Sequence, residues 1–178
     1  IREATNYCNL YRPDKKLMWP KDAEGEWIDI DPKFDGGPGG RDYYDENNGY
    51  TYAWQAQHDI HGLIELMGGM EKFAANLDQL FREDLGRRKW QFWAKIPDAT
   101  GLVGQFSMGN EPSFHIPYLY NYAGEPWKTQ KRIRFLLDVW FQDNIFGIPG
   151  DEDGGGMTAF VVFSSMGFYP VTPGLPVY

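Results

Sequence analysis

The sequence predicts a mostly α-helical domain in which helices follow one another as hairpins and long loops build a site. Three observations support this prediction. Apolar residues recur at helical spacing in several stretches, the segments between them are rich in Gly, Pro and Asp, and no internal repeat is present. The 178 residues are 42% hydrophobic and 17% aromatic, which is enough for one domain with a sizeable core.

Charge and composition exclude several classes of protein. The formal net charge is −8, and the basic residues are scattered, which argues against a nucleic-acid partner because phosphate binding needs clustered Lys and Arg. No apolar run approaches the roughly 20 residues that span a bilayer, so membrane insertion is not expected. The single cysteine, Cys8, rules out an internal disulfide framework. The chain opens on Ile1, so we expect that its native N-terminus has been removed.

The N-terminal quarter of the chain predicts one short helix and then a long loop. Residues 2–11 form the helix, which stops before Pro13, and residues 12–49 read as an irregular excursion with a glycine cluster at 36–40. Long loops in compact domains are disordered linkers or functional loops. The aromatic residues of this loop argue against disorder: Trp19, Trp27, Phe34, Tyr43 and Tyr44. We therefore expect the loop to fold over a site.

Five further helices are predicted from apolar periodicity. They cover residues 50–67, a segment beginning near Met70 after Gly68-Gly69, and residues 112–122, 126–144 and 157–168, the last well buried. The second has an apolar face of Met70, Phe73, Ala74, Leu77, Leu80 and Phe81, and the fourth has one of Ile133, Leu136, Leu137, Trp140 and Phe141. About six helices in successive hairpins are typical of part of a helical toroid, whose loops build the site at one end.

The segment Gly150–Gly156 is the sharpest candidate site. It reads Gly-Asp-Glu-Asp-Gly-Gly-Gly and immediately precedes an apolar helix. Glycine lets the backbone approach a ligand closely, and adjacent carboxylates suit either a hard cation or proton transfer. The same pattern also fits a solvated acidic turn that caps the following helix. Both interpretations remain open at this point.

Two other polar segments could contribute to a carbohydrate site. Residues 109–115 place Asn110, Glu111 and His115 at a helix entrance, where they could bind sugar hydroxyls or simply cap the helix. Residues 45–50 carry Glu46 ahead of a helix containing Trp54, and acids beside aromatic faces suit sugars. An ordinary surface turn is the alternative for this second segment.

Taken together, the motifs resemble glycoside hydrolase family 92, the calcium-dependent α-mannosidases that act by inversion. The matching stretches cover nearly the whole chain in order, which makes the set far more specific than any single cluster. They are residues 20–25, 58–69, 109–113, 118–124, 150–153 and 166–170.

The resemblance implies a fold, a domain organisation and a cellular location. The fold is a mostly α, (α/α)6 helical toroid, of which residues 1–178 form part of the catalytic domain. An upstream β-sandwich domain and the first part of the toroid would lie outside this sequence, as missing domains of the same protein. The family resemblance also implies a periplasmic or extracellular location.

The resemblance also assigns roles to individual residues. Asp153 is the candidate general base, and Asp151 would help to position the water or the calcium ion. Glu46 is the candidate general acid, although the family motif Glu-Gly-Asn reads Glu46-Asn47-Asn48 here. Glu111 is the reserve candidate for the acid, with a sugar- or calcium-binding role as the preferred expectation. The predicted calcium ligands are Asp151, Asp153 and Glu111.

The predicted substrate is a mannose-containing glycan bound at Trp54, Asn110, Glu111 and His115. Calcium holding two sugar hydroxyls would favour the flattened ring of the transition state. The expected enzyme is an exo-acting α-mannosidase, with α-1,2 linkages as the leading expectation. Two alternatives stay open, a fragment that binds mannose or glycan without hydrolysis and a mannosyl phosphodiester hydrolase of the same family.

Overall fold

The structure is a computed structural model that describes residues 2–36 and 43–178. Helices dominate these residues, which confirms the mostly helical class. The α-helices are α1 (Gly49–Tyr52), α2 (Ile60–Leu66), α3 (Met70–Leu80), α4 (Lys89–Lys95), α5 (Pro126–Trp140) and α6 (Gly156–Met166). Within the same ranges, 3₁₀ helices lie at Arg2–Leu10, Glu111–Ser113, Ile116–Asn121 and Asp153–Gly155.

Two short antiparallel hairpins join the helical segments. Strand β1 (Tyr11–Arg12) pairs with β2 (Leu17–Met18), and β3 (Leu102–Val103) pairs with β4 (Phe106–Ser107). Gly104 turns the second hairpin with φ +62°, and a Cβ there would lie 2.6 Å from the carbonyl oxygen of Leu80. Glycine therefore allows this hairpin to pack against the end of α3. The sequence analysis identified neither hairpin, nor α4.

The N-terminal segment agrees with the sequence prediction in outline. Residues 2–11 were expected to be helical, and a 3₁₀ helix spans Arg2–Leu10. Most of the predicted excursion is irregular, and the Tyr44 hydroxyl donates a 2.7 Å hydrogen bond to the carbonyl oxygen of Met18 across it. Trp19 and Tyr44 are buried. Residues 37–40 of the predicted glycine cluster lie outside the described residues.

The prediction of one helix over residues 50–67 is wrong, because two helices and a turn occupy this stretch. Helix α1 ends at Tyr52, and α2 begins only at Ile60. Asp59 starts the second helix by accepting a 3.0 Å hydrogen bond from the backbone N–H of Gly62. An N-cap aspartate of this kind satisfies a free helical donor and so fixes a new helix start.

The segment predicted as a helix over 112–122 consists of two 3₁₀ pieces rather than one α-helix. Its hydrogen bonds join residues three apart, as from the N–H of Tyr118 to the carbonyl oxygen of His115. Pro112 and Pro117 lack the N–H group that an α-helix would use. Two prolines within six residues therefore favour short, tight helical turns here.

Helices α3, α5 and α6 follow their predicted apolar patterns with smaller differences. In α3 the predicted face is buried except for Met70, which is 57% exposed at the first position. Helix α5 ends at Trp140, four residues before its predicted end. In α6, Met157 and Phe160 are buried, but Val162 and Met166 are 55% and 54% exposed, so the helix is not buried on all sides as expected.

One hydrophobic cluster connects most of these elements. It joins the buried residues of α2, α3, α5 and α6 to the 3₁₀ segments and the hairpins, whereas α4 packs through Phe92 in a smaller cluster of its own. At the centre, Phe114 contacts Phe160 with ring centroids 5.3 Å apart. This packing ties the loop before Phe114 to the first turns of α6. In the part of the chain that is described, no helix has the length and apolar character needed to cross a membrane.

Candidate active site

Loops from four parts of the chain enclose a small acidic cavity of about 150 Å³. It is lined by Glu46, Pro97, Asp98, Thr100, Gly109, Asn110, Glu111, Gly150, Asp151 and Asp153. Five of the seven predicted site residues are in this set. The structure therefore brings the three polar segments singled out from the sequence to one place.

The acidic loop before α6 divides its carboxylates between two tasks. Glu152 accepts hydrogen bonds from the N–H and the hydroxyl of Thr158, at 3.2 and 2.6 Å, and so caps the helix. Asp151 and Asp153 line the cavity instead. Glu152 thus fulfils the capping interpretation, and the functional interpretation of Asp151 and Asp153 stays a prediction.

The backbone of this loop adopts a conformation that L-residues rarely take. Asp153, Gly154 and Gly155 have φ values of +48°, +70° and +111°. Asparagine and aspartate tolerate such angles better than most residues, and glycine adopts them freely. Strain of this kind is concentrated at functional sites, where the surrounding structure maintains it. The conformation holds Asp153 at the cavity wall.

Two glycines let the loop of Glu111 and the loop of Asp151 touch. A Cβ on Gly150 would lie 2.1 Å from the carbonyl oxygen of Gly109. A Cβ on Gly109 would in turn lie 2.7 Å from the carbonyl oxygen of Pro149. No side chain fits at either position, so glycine is required for this close backbone approach.

Glu111 is an electrostatically perturbed acid of the cavity. Its Oε1 atom is buried and has no hydrogen-bond partner among the described residues. Burial, followed by the negative charges of Asp153 and Glu46, raises the pKa of Glu111 to about 7. A carboxyl group in this position is either protonated near neutral pH or in need of a nearby cation.

Asn110 stands beside Glu111 and contacts the candidate acid directly. It occupies the N-cap position of a 3₁₀ helix but makes no side-chain cap hydrogen bond. Its Nδ2 instead donates a 3.1 Å hydrogen bond to Oε2 of Glu46. The capping interpretation therefore does not describe its side chain, which is 3% exposed.

Trp54 and His115, the two other predicted substrate contacts, do not line this cavity. His115 is 2% exposed, and its Nε2 lies 2.8 Å from the carbonyl oxygen of Trp54, which identifies Nε2 as the donor. Burial lowers the pKa of His115 to about 4, so the ring is neutral at physiological pH. Trp54 packs edge-on against Phe73. In this arrangement the two residues connect core segments, and the predicted sugar contacts receive no support from it.

Sequence reasoning missed the contribution of residues 97–100. Asp98 and Thr100 line the cavity from the segment between α4 and β3. Neither belongs to a cluster of charges or to a glycine-rich motif, so no local pattern marked them. The Thr100 hydroxyl oxygen is a second buried polar atom without a hydrogen-bond partner in the described part of the chain.

The atoms of the cavity that could act as metal ligands are oxygens, which suit a hard cation such as Ca²⁺. The unpartnered Oε1 of Glu111 is the clearest free ligand atom. Within residues 2–36 and 43–178, however, no three His, Cys, Asp or Glu side chains are grouped closely enough to hold a metal. A cation here would therefore complete its shell with backbone carbonyls, water or substrate hydroxyls.

A larger cleft of about 560 Å³ lies next to the acidic cavity. Aromatic side chains dominate its wall, among them Trp19, Tyr44 and Tyr52, and Asp45 also lines it. The Tyr52 hydroxyl accepts a 3.1 Å hydrogen bond from the backbone N–H of Glu46, so the two spaces meet at this loop. Carboxylates from separate loops beside an aromatic cleft form the arrangement of a glycoside hydrolase.

Comparison with known proteins identifies the family. The family model described as the glycosyl hydrolase family 92 catalytic domain matches residues 1–178. The chain belongs to glycoside hydrolase family 92.

Individual relatives agree with this family. An uncharacterized secreted glycosidase of the fungus Arthroderma benhamiae is 33% identical over 197 residues, a match that covers 100% of this chain and 23% of the relative. A solved family GH92 α-mannosidase of Bacteroides thetaiotaomicron, in complex with mannoimidazole, has a TM-score of 0.86 and 35% identity over 97% of this chain. A family GH92 inverting mannosidase of the same bacterium has a TM-score of 0.76 and 39% identity over 98%. The chain spans about a quarter of the length of these proteins.

The raised pKa of Glu111 can be tested directly in metal-free protein. Infrared spectra of protein labelled with ¹³C-glutamate, compared between wild type and Glu111→Gln, should show a protonated carboxyl band that disappears as pH rises through about 7. Because the pKa is raised from 4.5 to about 7, the contribution of Glu111 to folding stability is fully present below pH 4.5 and is lost as pH rises from 4.5 through about 7. Asp153→Asn should lower the midpoint, since it removes one repelling charge.

Asp14→Asn is the matched control for this titration, because Asp14 pairs with Arg12 on the protein surface. It should leave the midpoint where it is. A midpoint near 4.5 in wild-type protein, or one that Asp153→Asn does not move, would contradict the electrostatic coupling described for this cavity.

Proposed function

We propose that this chain contributes the catalytic acid and base of an exo-acting α-mannosidase that works by inversion. The main support is that Glu46 and Asp153, from loops far apart in the sequence, line one cavity. Inversion requires two carboxyl groups about 6.5–9.5 Å apart, with room for a water molecule between one of them and the sugar. The names of the solved relatives, an α-mannosidase and an inverting mannosidase, support the same choice.

In this proposal Glu46 is the general acid and Asp153 the general base. Glu46 gives its proton to the glycosidic oxygen while the bond from that oxygen to the anomeric carbon breaks. Asp153 accepts a proton from a water whose oxygen bonds to the anomeric carbon from the opposite face. Asp151 helps to orient that water, and the strained backbone at Asp153 keeps its carboxylate at the cavity wall.

Calcium is proposed as the cofactor, with Glu111 as the first ligand. Asp151 and Asp153 line the same cavity, but the three carboxylates are not grouped closely enough to hold the ion as a set, so backbone carbonyls, water or substrate hydroxyls would complete its shell. The unpartnered Oε1 of Glu111 and its raised pKa support calcium binding, because a neighbouring cation would compensate the clustered negative charge. When bound, the ion supplies electrostatic stabilisation of sugar hydroxyls in the transition state. Asn110, for its part, holds the acid in place.

The proposal extends to the longer protein. We infer that the chain is part of an (α/α)6 toroid, and that a β-sandwich domain belongs to the same protein. Its substrate would be a mannose-containing glycan, with α-1,2-linked mannobiose the first to test. The name of the secreted relative supports a periplasmic or extracellular location. The aromatic cleft beside Glu46 suits sugar residues beyond the cleaved bond, since sugar faces stack on rings.

Hydrolysis of α-1,2-mannobiose by the longest natural form of the protein tests the activity. Asp153→Asn should lower kcat by about 10²–10⁴-fold, the range that a positioned general base contributes. Glu152→Gln is the matched control, because it removes a charge from the same loop but keeps the oxygen that accepts hydrogen bonds from Thr158. It should change kcat by less than about 3-fold, since Glu152 does not line the cavity.

Other outcomes of this assay would point to the alternative functions. Binding of mannobiose without turnover would indicate that the protein binds glycans and is not a hydrolase. Turnover confined to mannosyl phosphodiesters would identify a different leaving group for the same site. Equal loss of activity in Asp153→Asn and Glu152→Gln would contradict the role given to Asp153.

The calcium site predicts a pH-dependent affinity. Ca²⁺ must compete with a proton for Glu111, so affinity should fall roughly 10- to 30-fold between about pH 8 and about pH 5.5, given a pKa of about 7. Isothermal titration calorimetry of metal-free protein measures this directly. Glu111→Gln should weaken binding and remove most of the pH dependence. Binding that is equally tight at both pH values would contradict a ligand role for Glu111.

A further inference from the structure

A chain of three hydrogen bonds runs through Asn47 to the candidate acid. The backbone N–H of Asn48 donates to Oδ1 of Asn47 at 2.9 Å. Nδ2 of Asn47 donates to Oδ1 of Asn110 at 3.1 Å. Nδ2 of Asn110 then donates to Oε2 of Glu46 at 3.1 Å. The two asparagine side chains are 1% and 3% exposed, so water does not compete strongly for these bonds.

The direction of this chain follows from its first bond. A backbone N–H can only donate, so the atom that it meets on Asn47 must be the amide oxygen. The Asn47 nitrogen therefore faces Asn110, and the atom of Asn110 that accepts from it must also be an oxygen. The Asn110 nitrogen is left to face Glu46. Each amide orientation is thus determined by the one before it rather than by free choice.

The end of the chain distinguishes the two oxygens of Glu46. Oε2 uses a lone pair to accept from Asn110, whereas a carboxyl proton placed on Oε2 would weaken that bond. We propose that Asn47 is a positioning residue, which acts through Asn110 to hold Glu46 with Oε1 as the oxygen that carries the transferable proton. This inference rests on the proposed function, in which Glu46 is the general acid.

The surroundings of Asn47 hold this side chain in a fixed place. A Cβ on Gly36 would lie 2.0 Å from the carbonyl oxygen of Asn47, so the preceding loop packs directly on its backbone. Asn48 donates from Nδ2 to Oε1 of Gln105 at 2.8 Å. The backbone N–H of Glu46 is bound by the Tyr52 hydroxyl. Asn47 is therefore a rigid support from which a carboxyl group can be oriented.

Asn47 is also where this chain departs from the motif that it resembles, which has glycine at the position. Glycine has no side chain with which to reach Asn110. In this sequence, the side chain of Asn47 makes that contact with Asn110.

Leaving-group dependence separates a positioning role from a merely structural one. A sugar hydroxyl needs protonation to depart, whereas 2,4-dinitrophenolate leaves without it, so only the first reaction depends on an oriented acid. Asn47→Ala should lower kcat on α-1,2-mannobiose by about 10- to 100-fold, part of what general acid catalysis contributes, with KM little changed. On 2,4-dinitrophenyl α-mannoside the same variant should stay within about 3-fold of wild type.

A control variant and a double-mutant cycle complete the experiment. Gln105→Ala removes another buried amide of the same loop network, one that bonds to Asn48 and to the backbone of Asp84 but not to Glu46. It should lower the melting temperature without changing the ratio of activities on the two substrates. Asn110→Ala should reproduce the Asn47→Ala ratio, and the double variant should be no worse than Asn110→Ala alone, because both act through one chain.

The assays use the longest natural form of the protein. If Asn47→Ala does not fold, as judged by its melting temperature, Asn47→Gly takes its place with the same expectation. A variant that slows both substrates equally, or neither, would overturn the positioning role. Wild-type protein without activity on either mannoside would overturn the proposed function and this inference with it.

Discussion

The backbone contact between Gly109 and Gly150 is the constraint on which the site depends. Each position excludes even a methyl group, because an added Cβ would overlap an oxygen atom of the facing segment. Through this contact, the loop of Asn110 and Glu111 lies against the loop of Asp151 and Asp153. The catalytic proposal needs these two loops together, and glycine is the residue that permits it.

The electrostatics of the cavity follow from that contact. Burial in this small space, together with repulsion from the neighbouring carboxylates of Asp153 and Glu46, raises the pKa of Glu111. Other carboxylates of the site loops accept hydrogen bonds from neighbouring residues. Oε1 of Glu152 accepts from Thr158 in the first turn of α6, whereas its buried Oε2 has no partner among the described residues. Oε2 of Glu46 accepts from Asn110. Glu111 keeps one oxygen without a partner, which makes it the natural point of attachment for a cation.

The sequence was informative where chemistry and periodicity agree locally. The apolar faces of α3 and α5 were readable from helical spacing, and the acidic, glycine-rich loop that the sequence singled out before α6 does line a cavity. Helix breaks were harder to predict. The turn between α1 and α2 depends on Asp59 acting as a cap, and the 3₁₀ form of residues 111–121 depends on two prolines. In both segments, local hydrogen bonding decides between one long helix and shorter pieces, and the spacing of apolar residues does not reveal that choice.

Contacts between distant segments were the part that the sequence could not supply. No local sequence pattern marks Thr100 as a cavity residue. Nor does any local pattern show that the His115 ring donates a hydrogen bond to the carbonyl oxygen of Trp54. The pairing of Asn47 with Asn110 is likewise a tertiary fact, since 63 residues separate them. Such contacts arise from packing of the whole chain. The type of a residue therefore does not determine which other residues its side chain touches.

The stereochemistry of the first product is the most direct test of the central claim, that Glu46 and Asp153 face each other across a space that holds a water molecule. Proton NMR of the full-length protein acting on α-1,2-mannobiose observes the anomer before it equilibrates. β-Mannose should form first, because water attacks from the face opposite the leaving group. Initial release of α-mannose would contradict it, since retention requires carboxyl groups only about 5–5.5 Å apart, one of which bonds to the sugar.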